Sequence, residues 1–281
     1  MSIIRSGTSE YDGKEPTFEE KTIKLEETIK EELRKDSSVL RLRGKFMSND
    51  EATIIARSEQ VKTVKVLDLS DNQVGDPGLK ALSESPNLHG LEELALSVNF
   101  ITDVGVRDWS QSTGSTLMNL KSLSFEDNSL TDASVVELLK SPNFVKLESL
   151  NLAFNEVGPE SAKALEETTT LKNLKALYLE RNYMNDESIG HFVRGGKLAN
   201  LEKLDLTSNK LGDEGVKLIA GSPTFSNLKV LLLNNNNFGD EGAKALGEST
   251  VLAGLTELQI GRNPFTQAGG EAVYVHEGGT A

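Results

Sequence analysis

Eight asparagines recur at a nearly constant spacing along most of this 281-residue chain. They are Asn72, Asn99, Asn128, Asn155, Asn182, Asn209, Asn236 and Asn263. Successive spacings are 27 residues, except for one of 29 between Asn99 and Asn128, where two extra residues lie near Gly114-Ser115. A fixed period of roughly 20–50 residues indicates a stack of similar units, each of which buries its apolar face against its neighbours. The sequence therefore predicts a repeat array.

Each asparagine lies near the end of a phrase that is typical of a strand. The phrase is Leu-x-x-Leu-x-Leu-x-x-Asn-x-Leu, as in Leu147, Leu150, Leu152, Asn155 and Val157. Its Leu-x-Leu part alternates between apolar and other residues, which indicates a strand with one buried face. We expect the asparagine side chains to form a ladder of hydrogen bonds to the backbone that follows each strand.

The second half of each unit predicts a helix. Apolar residues such as Val216 and Ile219 fall at helical spacing, and pairs such as Ser141-Pro142 mark where a helix must stop. An aspartate stands where each helix is expected to begin, and its carboxylate can cap free backbone N–H groups there. These residues are Asp76, Asp103, Asp132, Asp186, Asp213 and Asp240.

The two halves of the unit predict a curved molecule. Parallel strands are about 4.8 Å apart, whereas packed helices need about 8–10 Å. Stacked units therefore curve into a horseshoe, with the strands on the inside and the helices outside. The predicted fold class is an α/β leucine-rich-repeat solenoid with a concave parallel β-sheet and convex helices.

The strand phrase, followed by Gly-Asp-x-Gly-x-x-x-Leu, resembles the ribonuclease-inhibitor class of leucine-rich repeats. That class also includes the repeat domains of NOD-like receptors and of Ran GTPase-activating protein. The resemblance covers residues 64 to about 273 and is specific for the fold, with little information about a partner. The chain has no cysteine, unlike the cysteine-rich mammalian inhibitors, so the resemblance does not imply a ribonuclease as ligand.

The ends of the chain depart from the repeat. Residues 1–16 are polar and are expected to be a mobile tail. Residues 17–37 are predicted to be an N-terminal capping helix, because Thr17 and Glu20 make a capping-box pair and apolar residues then recur every four positions. A helix that docks on a partner is the alternative. Residues 38–281 are the repeat domain, in which a degenerate unit with Lys45 at the asparagine position precedes eight units and a short tail.

No polar cap follows the last unit. Phe265 and the segment Val273-Tyr274-Val275 could form a short cover, and only polar and glycine residues come after them. Two alternatives stay open: the last residues fold back on the end of the array, or a second protomer covers it. The second alternative predicts weak self-association through the C-terminal end.

Charge and residue usage exclude several classes of function. Thirty Lys and Arg against 43 Asp and Glu give a net charge of −13, which disfavours nucleic acid and anionic membrane surfaces as partners. Three scattered histidines and no cysteine leave nothing from which a zinc cluster or a Cys–His nucleophile could be built. We predict no cofactor, no metal and no enzymatic activity. With no apolar signal at the N-terminus, the cytoplasm is the expected location, and signal-less export is the alternative.

A protein partner is expected on the concave face, where alternate strand residues leave the core. Phe154, Tyr178, Arg181 and Tyr183 stand on adjacent strands and are expected to cluster, with Phe100 and Glu126 nearby. Tyr and Arg dominate the energetics of many interfaces. The alternative is that a few aromatic residues on a large open surface have no role.

Two other functions are alternatives to a binding module. A GTPase activator resembling Ran GTPase-activating protein would act from loops of its early repeats, where Arg107 is the nearby basic residue. A bacterial effector acting on host proteins, exported without a signal, is the other alternative. The leading prediction is a non-catalytic scaffold that holds a protein.

Overall fold

The computed structural model describes residues 16–274, in which nine parallel strands form one sheet in chain order. The strands are β1 Val39–Arg41, β2 Val66–Asp68, β3 Glu93–Ala95, β4 Ser122–Ser124, β5 Ser149–Asn151, β6 Ala176–Tyr178, β7 Lys203–Asp205, β8 Val230–Leu232 and β9 Glu257–Gln259. The helices are α1 Phe18–Leu33, α2 Asn49–Arg57, α3 Asp76–Ser83, α4 Asp103–Gln111, α5 Asp132–Lys140, α6 Pro159–Glu167, α7 Asp186–Gly195, α8 Asp213–Gly221, α9 Asp240–Gly247 and α10 Gln267–Tyr274. Short 3-10 turns occupy Glu59–Thr63, Pro142–Phe144 and Pro223–Phe225.

The strands pair in strict register through their central leucines. Leu150 pairs with Leu177, and Leu177 with Leu204, so each step along the sheet is one repeat. The pair Leu94 and Leu123 keeps this register across the 29-residue unit. The two extra residues are therefore absorbed outside the strands, in the loop that follows α4.

A single apolar core runs between the sheet and the helices. The two leucines of the Leu-x-Leu part of the strand phrase are buried in unit after unit, as are the helix residues that face them. Trp109 stands where other units have leucine, and it is 2% exposed, as expected for a core residue. Its ring packs edge-to-face against Phe144 and Phe125.

The asparagine ladder joins neighbouring units. The Asn182 amide nitrogen donates to the carbonyls of Leu152 (2.8 Å) and Glu180 (3.1 Å). Its oxygen accepts the Val157 N–H at 2.8 Å. Two of these three bonds reach the preceding unit. The Asn182 side chain therefore holds both the turn after its own strand and the equivalent turn of the preceding unit.

Replacing Asn182 with alanine is expected to lower the free energy of unfolding by about 1–3 kcal/mol, because buried backbone groups lose their partners. Chemical denaturation measures the loss. Asn237→Ala is the control, since this asparagine is exposed outside the ladder and its loss is expected to change stability by less than about 0.5 kcal/mol. Equal effects of the two substitutions would contradict the ladder.

The aspartates at the helix starts cap the helix of the next unit. Asp213 is the first residue of α8, but its carboxylate accepts the N–H groups of Gly239 (2.7 Å) and Gly242 (2.8 Å) at the start of α9. The expected capping is present, but it crosses between units. This explains the Gly-Asp-x-Gly phrase, because a Cβ at Gly215 would lie 2.4 Å from the Asp186 carboxylate.

One helix start departs from this pattern. Pro159 stands where six other units have aspartate, and it cannot cap the next helix. Helix α7 is instead capped by Asn185, the residue before it, whose side chain accepts the Ser188 N–H at 3.0 Å. The first repeat helix, α2, has no regular unit before it, and Ser48 caps it in the same self-sufficient way.

At the N-terminal end, α1 packs against α2 and β1 and buries Leu25 and Ile29. Thr17 and Glu20 form the capping box. The helix ends before residue 37, because the chain turns at Asp36, whose carboxylate accepts the Ser38 N–H. The proposed mobile tail falls almost entirely outside the described residues, as do residues 275–281 of the proposed C-terminal tail. Between residues 16 and 274, no helix is long and apolar enough to cross a membrane.

Candidate functional site on the concave sheet face

The alternation of each strand directs every second side chain away from the core. Leu177 and Leu179 are each 1% exposed, whereas Tyr178 between them lies on the open face of the sheet. The same alternation places Glu126 and Glu180 on this face. Side chains here can therefore vary without changing the core.

The residue before each ladder asparagine has left-handed backbone, and these residues form a column that we call the rim. Its residues, all with positive φ, are Asp71, Val98, Asp127, Phe154, Arg181, Ser208, Asn235 and Arg262. The rim conformation is held between units, since the Phe154 N–H donates to the Glu180 carbonyl at 2.7 Å and the Arg181 N–H to the Thr207 carbonyl at 2.9 Å. This rigid backbone presents the side chains of Phe154 and Arg181 beside the sheet.

Three of the four aromatic residues of the candidate site lie close to a cation of the next unit. The Arg181 guanidinium carbon is 5.2 Å from the centre of the Phe154 ring. The Lys203 ammonium is 5.0 Å from the Tyr178 ring, and the Lys210 ammonium is 4.7 Å from the Tyr183 ring. These distances allow cation–π attraction. The four residues of the predicted cluster are thus neighbours, but only Phe154 and Arg181 are paired with each other.

Carboxylates occupy the part of the sheet beside these rings. Burial raises the pKa of Glu180, and the nearby carboxylates of Asp205 and Glu126 raise it further against the lowering effect of Arg181. Asn151 donates to Glu126 at 2.9 Å. The centre of the concave face therefore combines crowded negative charge with aromatic rings covered by cations.

Phe100 lies apart from the other candidates, in the unit that contains β3. Its side chain is 65% exposed, and Val98 and Val104 in the same unit are also partly exposed. The unit of β4 separates it from Phe154. The candidate residues therefore fall into an aromatic and charged centre, and an apolar outlier nearer the N-terminal end.

Sequence reasoning did not single out Lys203 or Lys210. The repeat period contained the signal for two of the three cation pairs, because Arg181 follows Phe154 by 27 residues and Lys210 follows Tyr183 by 27. Residues one period apart occupy equivalent positions on adjacent units. Lys203 pairs diagonally with Tyr178, so its role needed the structure.

The other chemically distinctive residues lie on the helices. Arg107 is exposed on α4, and its guanidinium is 3.5 Å from the Asp108 carboxylate. His191 on α7 contacts Glu166 at 2.5 Å and Arg194 at 2.7 Å. Among residues 16–274, no group of three or more His, Asp or Glu side chains could hold a metal ion.

A family model matches the repeats in four segments. A leucine-rich-repeat family model matches residues 62–83, 145–165, 197–220 and 226–247. No curated protein sequence matches the chain. Together with nine parallel strands that alternate with helices, the family matches identify the fold as an α/β leucine-rich-repeat solenoid.

Two solved structures of bacterial proteins are similar to this chain. An internalin from Listeria monocytogenes has 20% sequence identity and a TM-score of 0.38, covering 90% of this chain and 92% of its own. A leucine-rich-repeat protein from Leptospira interrogans has 23% identity and a TM-score of 0.45, covering 73% of this chain. This chain spans 50% of the length of that second protein.

Proposed function

We propose that this leucine-rich-repeat solenoid is a non-catalytic scaffold that holds a protein partner on the centre of its concave sheet face. The contact residues would be Phe154, Tyr178, Arg181 and Tyr183, with Glu126 beside them and Phe100 at the margin. The observation that carries the proposal is the row of aromatic rings and cations on adjacent units, displayed from a backbone that is hydrogen-bonded between units.

Rigidity favours binding at this place. A partner that meets Phe154 and Arg181 orders little backbone, since their N–H groups are already bonded to the next unit. Tyrosine and arginine are also the residues most often responsible for interface energy. Tyr183 is 48% exposed, so a partner could still bury a large part of its ring.

The charge of the site indicates the chemistry of the partner. Glu126, Glu180 and Asp205 crowd negative charge beside the rings, and no basic residue of this chain forms a salt bridge with them in the described region. A partner surface with Lys or Arg would neutralise this charge and gain from the complementarity. We infer a partner that combines basic and apolar residues.

Two finer assignments belong to this proposal. We infer repeats of the ribonuclease-inhibitor class, because a helix connects each strand from β1 to β8 to the next, and seven of the eight adjacent strand pairs are 27 residues apart. The expectation of a cytoplasmic location stays a prediction.

The double substitution Phe154→Ser with Tyr183→Ser is expected to weaken partner binding by about 10- to 100-fold, or about 1.4–2.8 kcal/mol. Serine already occupies equivalent positions, at Ser208 and Ser129, so the fold should accept it. The partner is first identified by a pull-down from the source cells with mass spectrometry. The dissociation constant of the purified pair is then measured by calorimetry, together with the thermal midpoint, which should change little.

Asp71→Asn is the matched control, because Asp71 belongs to the same rim at the acidic early end and asparagine tolerates its left-handed backbone. It should alter the association rate and salt dependence more than the lifetime of the complex. Unchanged binding by the double variant would exclude the concave centre. The convex helices and α1 would then be the surfaces to test.

A further inference from the structure

The two ends of the solenoid differ. At the N-terminal end, α1 covers the core, and Leu40 and Leu42 of the first unit are fully buried. At the C-terminal end, Leu258 and Ile260 are only partly buried. Their equivalents one unit earlier, Leu231 and Leu233, have no exposed surface. The last described unit therefore presents core residues at its outer face.

The same end has an open strand edge. In the eight earlier units, the second leucine or phenylalanine of the strand phrase donates its N–H to the next strand, as Leu233 does to the Gln259 carbonyl at 2.7 Å. Ile260 occupies this position in the last unit, and no further strand lies beside it among residues 16–274. An open edge is a template for pairing with another strand.

Apolar side chains form a groove beside this edge. Leu258, Ile260, Phe265 and Val273 contribute to the lining of a cavity of about 370 Å³. The inner face of Phe265 is stacked on Phe238, with ring centres 5.8 Å apart. Unpaired backbone and apolar surface thus lie together, which is the combination that pairing of two sheets would bury.

We propose that a second copy of this chain docks on the C-terminal end and that the two β9 strands pair antiparallel across a two-fold axis. A two-fold axis places the same surface on both partners, so open edge meets open edge and apolar groove meets apolar groove. The result is one sheet of eighteen strands that runs through both copies.

Two oppositely charged residues at this end complement each other between two copies. Glu257 is the first residue of β9, and Arg262 follows the strand by three residues. Antiparallel pairing centred between Gln259 and Ile260 therefore brings Glu257 of each copy toward Arg262 of the other.

In the proposed dimer, each copy contributes only the end face of its last unit to the contact. Stable interfaces usually bury about 800 Å² per partner, and one unit with a three-residue strand offers a small surface by comparison. Association is therefore expected to be reversible and to depend on concentration.

Sedimentation equilibrium of the full chain over a concentration series tests the proposal. The apparent mass is expected to rise toward twice the monomer mass of 30.5 kDa. Glu257→Arg and Arg262→Glu should each weaken association about tenfold, and the double exchange should restore it. Arg41→Glu is the matched control, because Arg41 is an exposed strand residue at the closed end and should have no effect.

Hydrogen exchange locates the contact. Amides of residues 256–262 are expected to become more protected as concentration rises, whereas residues 38–44 should not change. A monomer at every concentration would overturn the proposal, as would association that the charge exchanges do not alter. Protection of residues 256–262 that is the same at all concentrations would also overturn it, since the chain itself would then cover the edge.

Discussion

Replacing Trp109 with alanine is expected to lower the free energy of unfolding by about 3–5 kcal/mol. The indole is 2% exposed and lies edge-to-face against Phe144 at 4.9 Å and Phe125 at 6.2 Å. Its N–H also donates to the Ser115 hydroxyl at 3.0 Å, which ties down the loop that contains the two extra residues. The substitution therefore opens a large cavity and releases this loop. Urea denaturation measures the loss.

Trp109→Leu is the informative control, because leucine fills the equivalent position at Leu82 and Leu138. It keeps part of the packing but loses the bond to Ser115, so a loss of about 1–3 kcal/mol is expected. If alanine were tolerated with less than about 1 kcal/mol of loss, the indole would not be packed as described. Equal losses for both variants would show that the loop bond, and not ring volume, determines stability here.

Replacing Leu179 with alanine is expected to cost about 2–5 kcal/mol. Leu179 is 1% exposed and directly follows β6, as the second leucine of the Leu-x-Leu part of its strand phrase. Its removal leaves a cavity between two stacked units, and neighbouring leucines held in strict register can collapse into it only in part. Thermal unfolding and denaturant titration should agree on the loss.

Tyr178→Ser is the matched control, since Tyr178 directly precedes Leu179 but faces away from the core. Its replacement removes the contact with Lys203 and is expected to change stability by less than about 1 kcal/mol. Similar large losses for both residues would contradict the alternation on which the concave site depends.

The repeat, the parallel sheet and the asparagine ladder could be predicted because asparagine recurs at the position where its side chain bonds to the backbone. The ladder role of Asn182 follows from its spacing alone, whatever its neighbours are. The aspartates were harder to interpret, because the rules for helix capping consider residues close in sequence. Asp213 caps N–H groups that lie 26 and 29 residues later. That partnership is a property of stacking and is absent from any single unit.

The rim was not predicted, because left-handed backbone is usually inferred from glycine or asparagine. Val98, Phe154 and Arg181 give no such signal. Their conformation is imposed by hydrogen bonds to the following unit, which compensate for the steric cost of a side chain with positive φ. The candidate site was therefore predicted as a set of residues, and its backbone geometry came from the structure.

The positive φ values of the rim make it a suitable starting point for redesign. Left-handed backbone costs most side chains about 1–2 kcal/mol, and asparagine and aspartate tolerate it best. Replacing Val98, Ser208 or Arg262 with asparagine is therefore expected to stabilise the fold. A library that varies this column would change recognition along one edge of the sheet while the core sequence stays fixed. Each asparagine introduced would offset part of the stability lost to a less favourable residue elsewhere on the rim.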